Sequence, residues 1–519
     1  GLSKYTTRGR LMPVLRELGH VLGLTLRTSR ARRIAVGLAL LALAAVPFVY
    51  ALGHWPLMEP DEGRNAEVAR EMLHLGSWSV PRFNALPYLD KPVFLFWLIA
   101  AAFRIVGVGE LAARLPSAVA AMVTVAFTYG IGQLLVGPRR GLLAAAILAT
   151  MPLVVVFARL AIFDMPLTAL VTAALWCLVR ARLQGGARLW LPLAGTIMGL
   201  ATLTKGPVGF AVPLLAWFAA RGALPAGRPT GRGPVLAGVA LAVAVVVTWV
   251  AFVMREEPAF LRYALVDETM LRFFSTARFH RGAPVYFYAE TLAWALGTWG
   301  IVLAAVAPGL ARRRRAGGAD GAAIAFTLRA AVAIVLFFTC SASKRPQYIL
   351  PALVPLAILI AIGVAAEAPR AATVLRACGR WAVVVGAAAM LAALGGLTPP
   401  HGEFRVLTPA TLSAAGAFFL LWGLATTLGG RRPAVALACC ALFTPGLGLL
   451  LLRPLAVYAE SRSSRELAAR ISPGARVVCV EAFRTGLPFY LRRPVLLLSN
   501  TGREFTSNYI EAQADRLMG

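Results

Sequence analysis

The sequence predicts a polytopic α-helical membrane protein, because apolar segments recur along most of its 519 residues, charge is scarce, and the arginines cluster between the apolar runs. Only 14% of residues are charged, 59% are hydrophobic and the mean hydropathy is +0.72. A soluble chain carries about 25% charged residues. The shortfall makes the bilayer, not water, the solvent for most of the chain. A net charge of +29 does not point to nucleic acid, since no basic stripe interleaves with aromatic residues. Positive charge gathered in short loops is instead the mark of cytoplasmic connections.

That rule threads the chain. Lys4, Arg8, Arg10, Arg16, Arg27, Arg30, Arg32 and Arg33 make residues 1–33 a basic cytoplasmic tail, followed by a first span at 34–52. Residues 53–111 then emerge as the first periplasmic loop. The apolar stretch 93–106 is short for a crossing and contains Arg104, so it is expected to lie along the interface. Spans at 112–135 and 141–157 then keep Arg139 and Arg140 inside. Further spans are expected at 165–179, 188–203, 207–220, 234–253 and 289–310, with a second periplasmic loop at 254–288. Five more follow at 323–340, 348–366, 381–397, 409–428 and 434–452. The transmembrane unit therefore covers 34–452 with about thirteen crossings at roughly 20 residues each.

Beyond residue 452 the composition changes. Residues 476–481 and 494–498 alternate like strands and 463–471 like a short helix, a small C-terminal α/β domain at 453–519 on the periplasmic side. The six cysteines have no metal-ligand spacing and are read as packed thiols.

Chemistry is expected where charge gathers on the outer side. The first loop contains Glu59-Pro60-Asp61-Glu62-Gly63-Arg64, leading into a helix with Ala66, Ala69, Met72 and Leu73 on one face. Asp61 suits a helix cap, a general base or a metal ligand, and these readings are compatible. Later in the loop, Lys91 in Tyr88-Leu89-Asp90-Lys91-Pro92 is either an interfacial anchor or a phosphate ligand. Asp164, just before Met165-Pro166, stands at another helix start near membrane depth, where charge is retained for function or as a cap. Thr204-Lys205-Gly206-Pro207 opens a helix and suits an anion. Asp267, Glu268, Arg278, His280 and Arg281 lie in the second loop, and Lys344 and Arg345 stand in a further outer cluster that ends at Tyr348. Cations gathered outside against the charge bias need a partner, and a lipid phosphate is the simplest one.

Six stretches in this order, EPDEGRNAEVAREML, PYLDKP, RLAIFDMPL, TKGP, FHRGAPVYFY and SKRPQYILP, resemble the bacterial lipid A aminoarabinose transferases and their protein O-mannosyltransferase relatives. The resemblance covers almost the whole chain and implies the GT-C fold. It also implies an inverting transfer, outside the cytoplasmic (inner) membrane, of a sugar such as 4-amino-4-deoxy-L-arabinose. The donor would be a polyprenyl (undecaprenyl) phosphate carrier and the acceptor lipid A or another glycolipid. By the same resemblance, Asp61 and Asp164 correspond to the two loop acids. Arg64, Tyr88, Lys91 and Lys205 correspond to positions around the donor phosphate, and His280, Arg281, Lys344 and Tyr348 to later cavity residues. Asp90 stands where the family commonly has glutamate in Glu-Lys-Pro-Pro, and Asp90 and His280 are the candidates for a divalent metal ion. Membrane lipids are the other expected partners. Rival readings are a protein O-mannosyltransferase on the same fold, a flippase of lipid-linked sugars, which should show inverted repeats and broken midplane helices, and a non-catalytic scaffold.

Overall fold

The computed structural model describes residues 45–227, 230–271, 283–395, 408–499 and 501–517. Most of the first expected span lies outside these residues, as do His280 and Arg281.

The chain is overwhelmingly helical. After α1 (Asp61–Leu75), a two-residue hairpin pairs β1 (Arg82–Phe83) with β2 (Leu86–Pro87), and α2 (Phe94–Val106) follows. The long apolar helix α3 (Glu110–Val136) and the shorter α4 (Pro138–Ala149) and α5 (Pro152–Phe157) come next. They lead into α6 (Asp164–Gln184), α7 (Ala187–Lys205), α8 (Val208–Ala220) and α9 (Arg232–Glu256). After the second loop come α10 (Phe287–Leu296), α11 (Thr298–Ala316) and α12 (Gly318–Cys340), then α13 (Leu350–Leu394), α14 (Pro409–Gly429) and α15 (Pro433–Leu450). Among the described residues seven helices are long and apolar enough to cross a membrane, or eight if α10 and α11, which meet at 101°, form one broken span.

Four expected spans differ in detail. The stretch at 141–157 is split between α4 and α5, since Pro152 supplies no amide to continue the helix. The span at 289–310 bends between Leu296 and Thr298. Two expected spans are merged in α13, which departs from helical geometry only at Glu367, two residues before Pro369.

Packing follows side-chain character. Every residue from Leu350 to Val364 is buried, as expected of a helix that is apolar all round and sits at the centre of the bundle. In α9 only Gly238, Trp249 and Val253 are buried, so most of its apolar surface faces outward. Close approach is made by small residues, as is usual between membrane helices. A Cβ on Gly195 would collide with the carbonyl of Gly238, so α7 and α9 meet backbone to backbone.

The C-terminal segment forms a small unit. Here β3 (Val478–Val480) runs parallel to β4 (Leu496–Leu498), with short helices α17 (Leu487–Leu491) and α18 (Asn508–Ala512) and, before the strands, α16 (Leu452–Ser461). The unit packs on α1 and the hairpin. Phe83 meets Phe483 and Phe505 edge-on at 5.8 and 6.1 Å. Asn84 clips the backbone of Val495 through both its amide groups, at 2.7 and 2.8 Å. A Cβ on Gly63 would lie 2.6 Å from Gly486 Cα, so α1 is pressed directly onto the C-terminal unit. That cover explains why α1 is buried all round from Glu62 to Met72, where the sequence pattern predicts a helix buried on one face.

Candidate active site

Asp61 is the first residue of α1, one position past the N-cap Pro60. Its carboxylate receives Arg64 Nη2 at 2.6 Å, one turn along, and Arg345 Nη1 at 3.3 Å. Arg64 lies over the ring of Tyr88 at 5.4 Å and donates through Nη1 to the carbonyl and hydroxyl of Thr506 at 2.9 and 2.7 Å. Burial works to lower the Arg64 pKa, but the fields of Tyr88, Asp61 and Asp90 outweigh it, so the guanidinium is held above its ordinary range.

The second acid is arranged alike. Asp164 begins α6 without capping it and forms an ion pair with Lys205, the last residue of α7. The Lys205 ammonium stands 4.2 Å from the ring centroid of Tyr348, a cation–π contact. Residues 344–348 join the two acids. Lys344 turns back to the carbonyl of Ser341 at 2.9 Å, whereas the extended backbone of Arg345 (φ −144°, ψ 147°) sends the next side chain to Asp61. Three residues on, Tyr348 faces Lys205. Four segments far apart in sequence thus converge on one cluster of acids and cations. Arg345 was not among the expected site residues; adjacency to Lys344 in one basic run gave no way to choose between them.

Lys91 donates to the carbonyl of Asp90 at 2.6 Å. Asp90 has a different set of partners from the metal role expected of it. Its carboxylate accepts from Tyr263 Oη at 2.9 Å, Ser507 Oγ at 3.2 Å and the amides of Asn508 and Tyr509 at 3.0 and 2.7 Å. It therefore holds the start of α18, where an anion at a helix N-terminus is favourable. Among the described residues no group of three or more His, Cys, Asp or Glu side chains is arranged for a metal.

Behind Asp61, α1 buries a second acidic group. Glu67 and Glu71 share a single cation, Arg70, which grips Glu67 at 2.7 and 2.8 Å. Burial pushes Glu67 up to about 8 from 4.5, against the pull of Arg70 and with a further push from Glu71. One arginine neutralises one carboxylate, so the folded pair keeps a proton that the unfolded chain releases. Because the folded pKa is raised, this stabilisation is complete below pH 4.5 and is lost as pH climbs to about 8. Glu67→Gln is expected to flatten the melting temperature of the purified protein across that window, and an unchanged slope counts against the shared proton.

Comparison with known proteins agrees with this architecture. Residues 90–252 match the family model for dolichyl-phosphate-mannose-protein mannosyltransferase. Among curated proteins, the undecaprenyl phosphate-α-4-amino-4-deoxy-L-arabinose arabinosyl transferase of Erwinia tasmaniensis is 30% identical over 412 residues, covering 76% of this chain and 72% of the relative. The corresponding Sodalis glossinidius enzyme is 31% identical over 80% of this chain and 75% of the relative. That of Edwardsiella ictaluri is 31% identical over 71% of this chain and 66% of its own length. The fold is that of ArnT from Cupriavidus metallidurans, solved bound to undecaprenyl phosphate, with a TM-score of 0.74 at 23% identity over 93% of this chain and 89% of that one. Fold and relatives together define a multi-pass membrane glycosyltransferase of the GT-C type. The chain belongs to the family of undecaprenyl phosphate-α-4-amino-4-deoxy-L-arabinose arabinosyl transferases.

Proposed function

We propose that this enzyme moves 4-amino-4-deoxy-L-arabinose from an undecaprenyl phosphate carrier to lipid A at the periplasmic face of the bacterial inner membrane. The observation that carries the reading is the convergence of Asp61, Arg64, Asp164, Lys205, Arg345 and Tyr348, acids interleaved with cations beside Tyr88. An acceptor oxygen attacks the anomeric carbon, the bond to the carrier oxygen breaks, and undecaprenyl phosphate leaves with the electron pair. The charge developing on the leaving oxygen is met by Lys205, Arg64 and Lys91. Both Asp61 oxygens are engaged by guanidinium groups, an arrangement suited to orienting cations rather than receiving a proton. It fits an acceptor that is already ionised, such as a lipid A phosphate. A protein hydroxyl acceptor, as the mannosyltransferase match would suggest, requires a base instead.

In this reading the apolar stretches 34–52, 138–157, 187–205 and 208–220, with the two halves of α13, complete about thirteen crossings. The cluster and the C-terminal unit then lie on the periplasmic side.

The test is purified protein incubated with undecaprenyl phosphate-aminoarabinose and lipid A, followed by mass spectrometry of the lipid. One added aminopentose supports the proposal; transfer only to a protein hydroxyl overturns the acceptor. Lys205→Ala and Lys91→Ala are each expected to weaken donor binding about tenfold, the scale of a lost charged hydrogen bond. Unchanged donor affinity in both, by titration, removes them from the phosphate site.

A further inference from the structure

The C-terminal unit does more than cover α1, because one of its residues holds a terminal nitrogen of the arginine that binds Asp61. Arg64 is buried, and its terminal nitrogens are divided: Nη2 goes to Asp61, while Nη1 goes to both the carbonyl and the hydroxyl of Thr506. Thr506 itself is exposed and sits at φ 54°, a left-handed conformation that a β-branched residue rarely adopts. Docking does not account for it. The unit is already fastened by Asn84 on Val495, by Asp90 on residues 507–509, and by Glu59, which receives Ser464 and the amide of Gly486. Instead, the Asp90 anchor on residues 507–509 places the preceding residue beside Arg64.

We infer that Thr506 is a positioning residue for the transfer reaction, fixing the Arg64 guanidinium and through it the Asp61 carboxylate. The chain of contacts runs from Asp90 to Ser507, from Thr506 to Arg64, and from Arg64 to Asp61. Without the Thr506 hydroxyl, the guanidinium keeps only the carbonyl on that side and turns more freely, and Asp61 with it. Such looseness lowers turnover while leaving donor binding to Lys205 and Lys91 in place. The inference rests on the role proposed for Asp61.

Thr506→Val has the same branching and adds no backbone strain, but lacks the acceptor. It is expected to lower kcat about tenfold, the scale of one hydrogen bond to a charged group, with donor KM unchanged. Thr506→Ser, which keeps the hydroxyl, is expected to retain wild-type kcat. In an Arg64→Gln background Thr506→Val should cost nothing further. Equal losses in the Val and Ser variants, an additive loss beside Arg64→Gln, or wild-type kcat in Thr506→Val would each overturn the inference. If Thr506→Val does not fold, Thr506→Ala is measured against Thr506→Ser by the same criteria. Asp61→Asn run in parallel separates the two claims: turnover by that variant sinks the role of Asp61, whereas an inactive Asp61→Asn beside an unaffected Thr506→Val sinks only the role of Thr506.

Discussion

Asp61→Asn is expected to reduce kcat by about 10²- to 10³-fold, the effect of removing one preorganised electrostatic group from an active site. The substitution keeps the size of the side chain but removes its charge, and with it the ion pairs to Arg64 and Arg345. Arg64 retains Thr506, so the buried guanidinium is not abandoned and the fold should hold. Arg345, a third exposed in its side chain, is released toward solvent. Donor affinity is expected to change little, since Lys205 keeps Asp164 and Tyr348. The measurement is product formation by mass spectrometry at saturating donor, with detergent-stable folding confirmed by size exclusion. Wild-type turnover refutes a catalytic place for Asp61. A large rise in donor KM at unchanged kcat would move it from the reaction to the binding of substrate.

Much of this site was legible in the sequence. Asp164 and Lys205 stand where apolar helices begin and end, and charge in such places needs a partner, while Asp61 opens the charged helix of the first loop. What sequence could not supply was the pairing. Both acids are first helical residues, and each carboxylate meets cations, Asp61 through Arg64 and Arg345 and Asp164 through Lys205, a pairing visible only in three dimensions. The outer cations were expected to await a lipid phosphate, yet Lys205 and Arg345 already hold protein carboxylates. Asp90 shows the limit most clearly. The family resemblance makes it a metal candidate, while its partners are Tyr263 and, more than 400 residues away, Ser507, Asn508 and Tyr509. The membrane helices were readable as long apolar runs, and the break after α4 falls at Pro152, whereas the bend after α10 turns on the backbone of Gly297 (φ 54°), which hydropathy does not report.

The largest loss of stability is expected from Glu62→Ala. Arg114, fully buried in α3, places every one of its N–H groups. Nε and Nη2 hold Glu62 at 2.8 and 2.7 Å, Nη1 meets the carbonyls of Leu52 and Trp55 at 3.1 and 2.8 Å, and Nη2 also reaches that of Pro56 at 2.8 Å. Removing Glu62 leaves an uncompensated charge among carbonyl oxygens, a change that costs about 3–5 kcal/mol when a buried pair is broken. Replacing both partners with apolar residues should cost less than the single change, because no charge is then stranded. Glu62 also accepts from the amides of Met58 and Ala161 at 3.1 and 2.9 Å. It therefore ties the residue next to Asp61 to the segment that leads, three residues later, into Asp164. The pair is a brace that fixes the distance between the two acids. Thermal melts of Glu62→Ala, Arg114→Met and the double variant would test the energetics, and kcat per folded enzyme would test the brace. Wild-type kcat in the folded fraction of Glu62→Ala would leave the pair a purely structural role, whereas a deficit beyond unfolding would make it part of how the site is held.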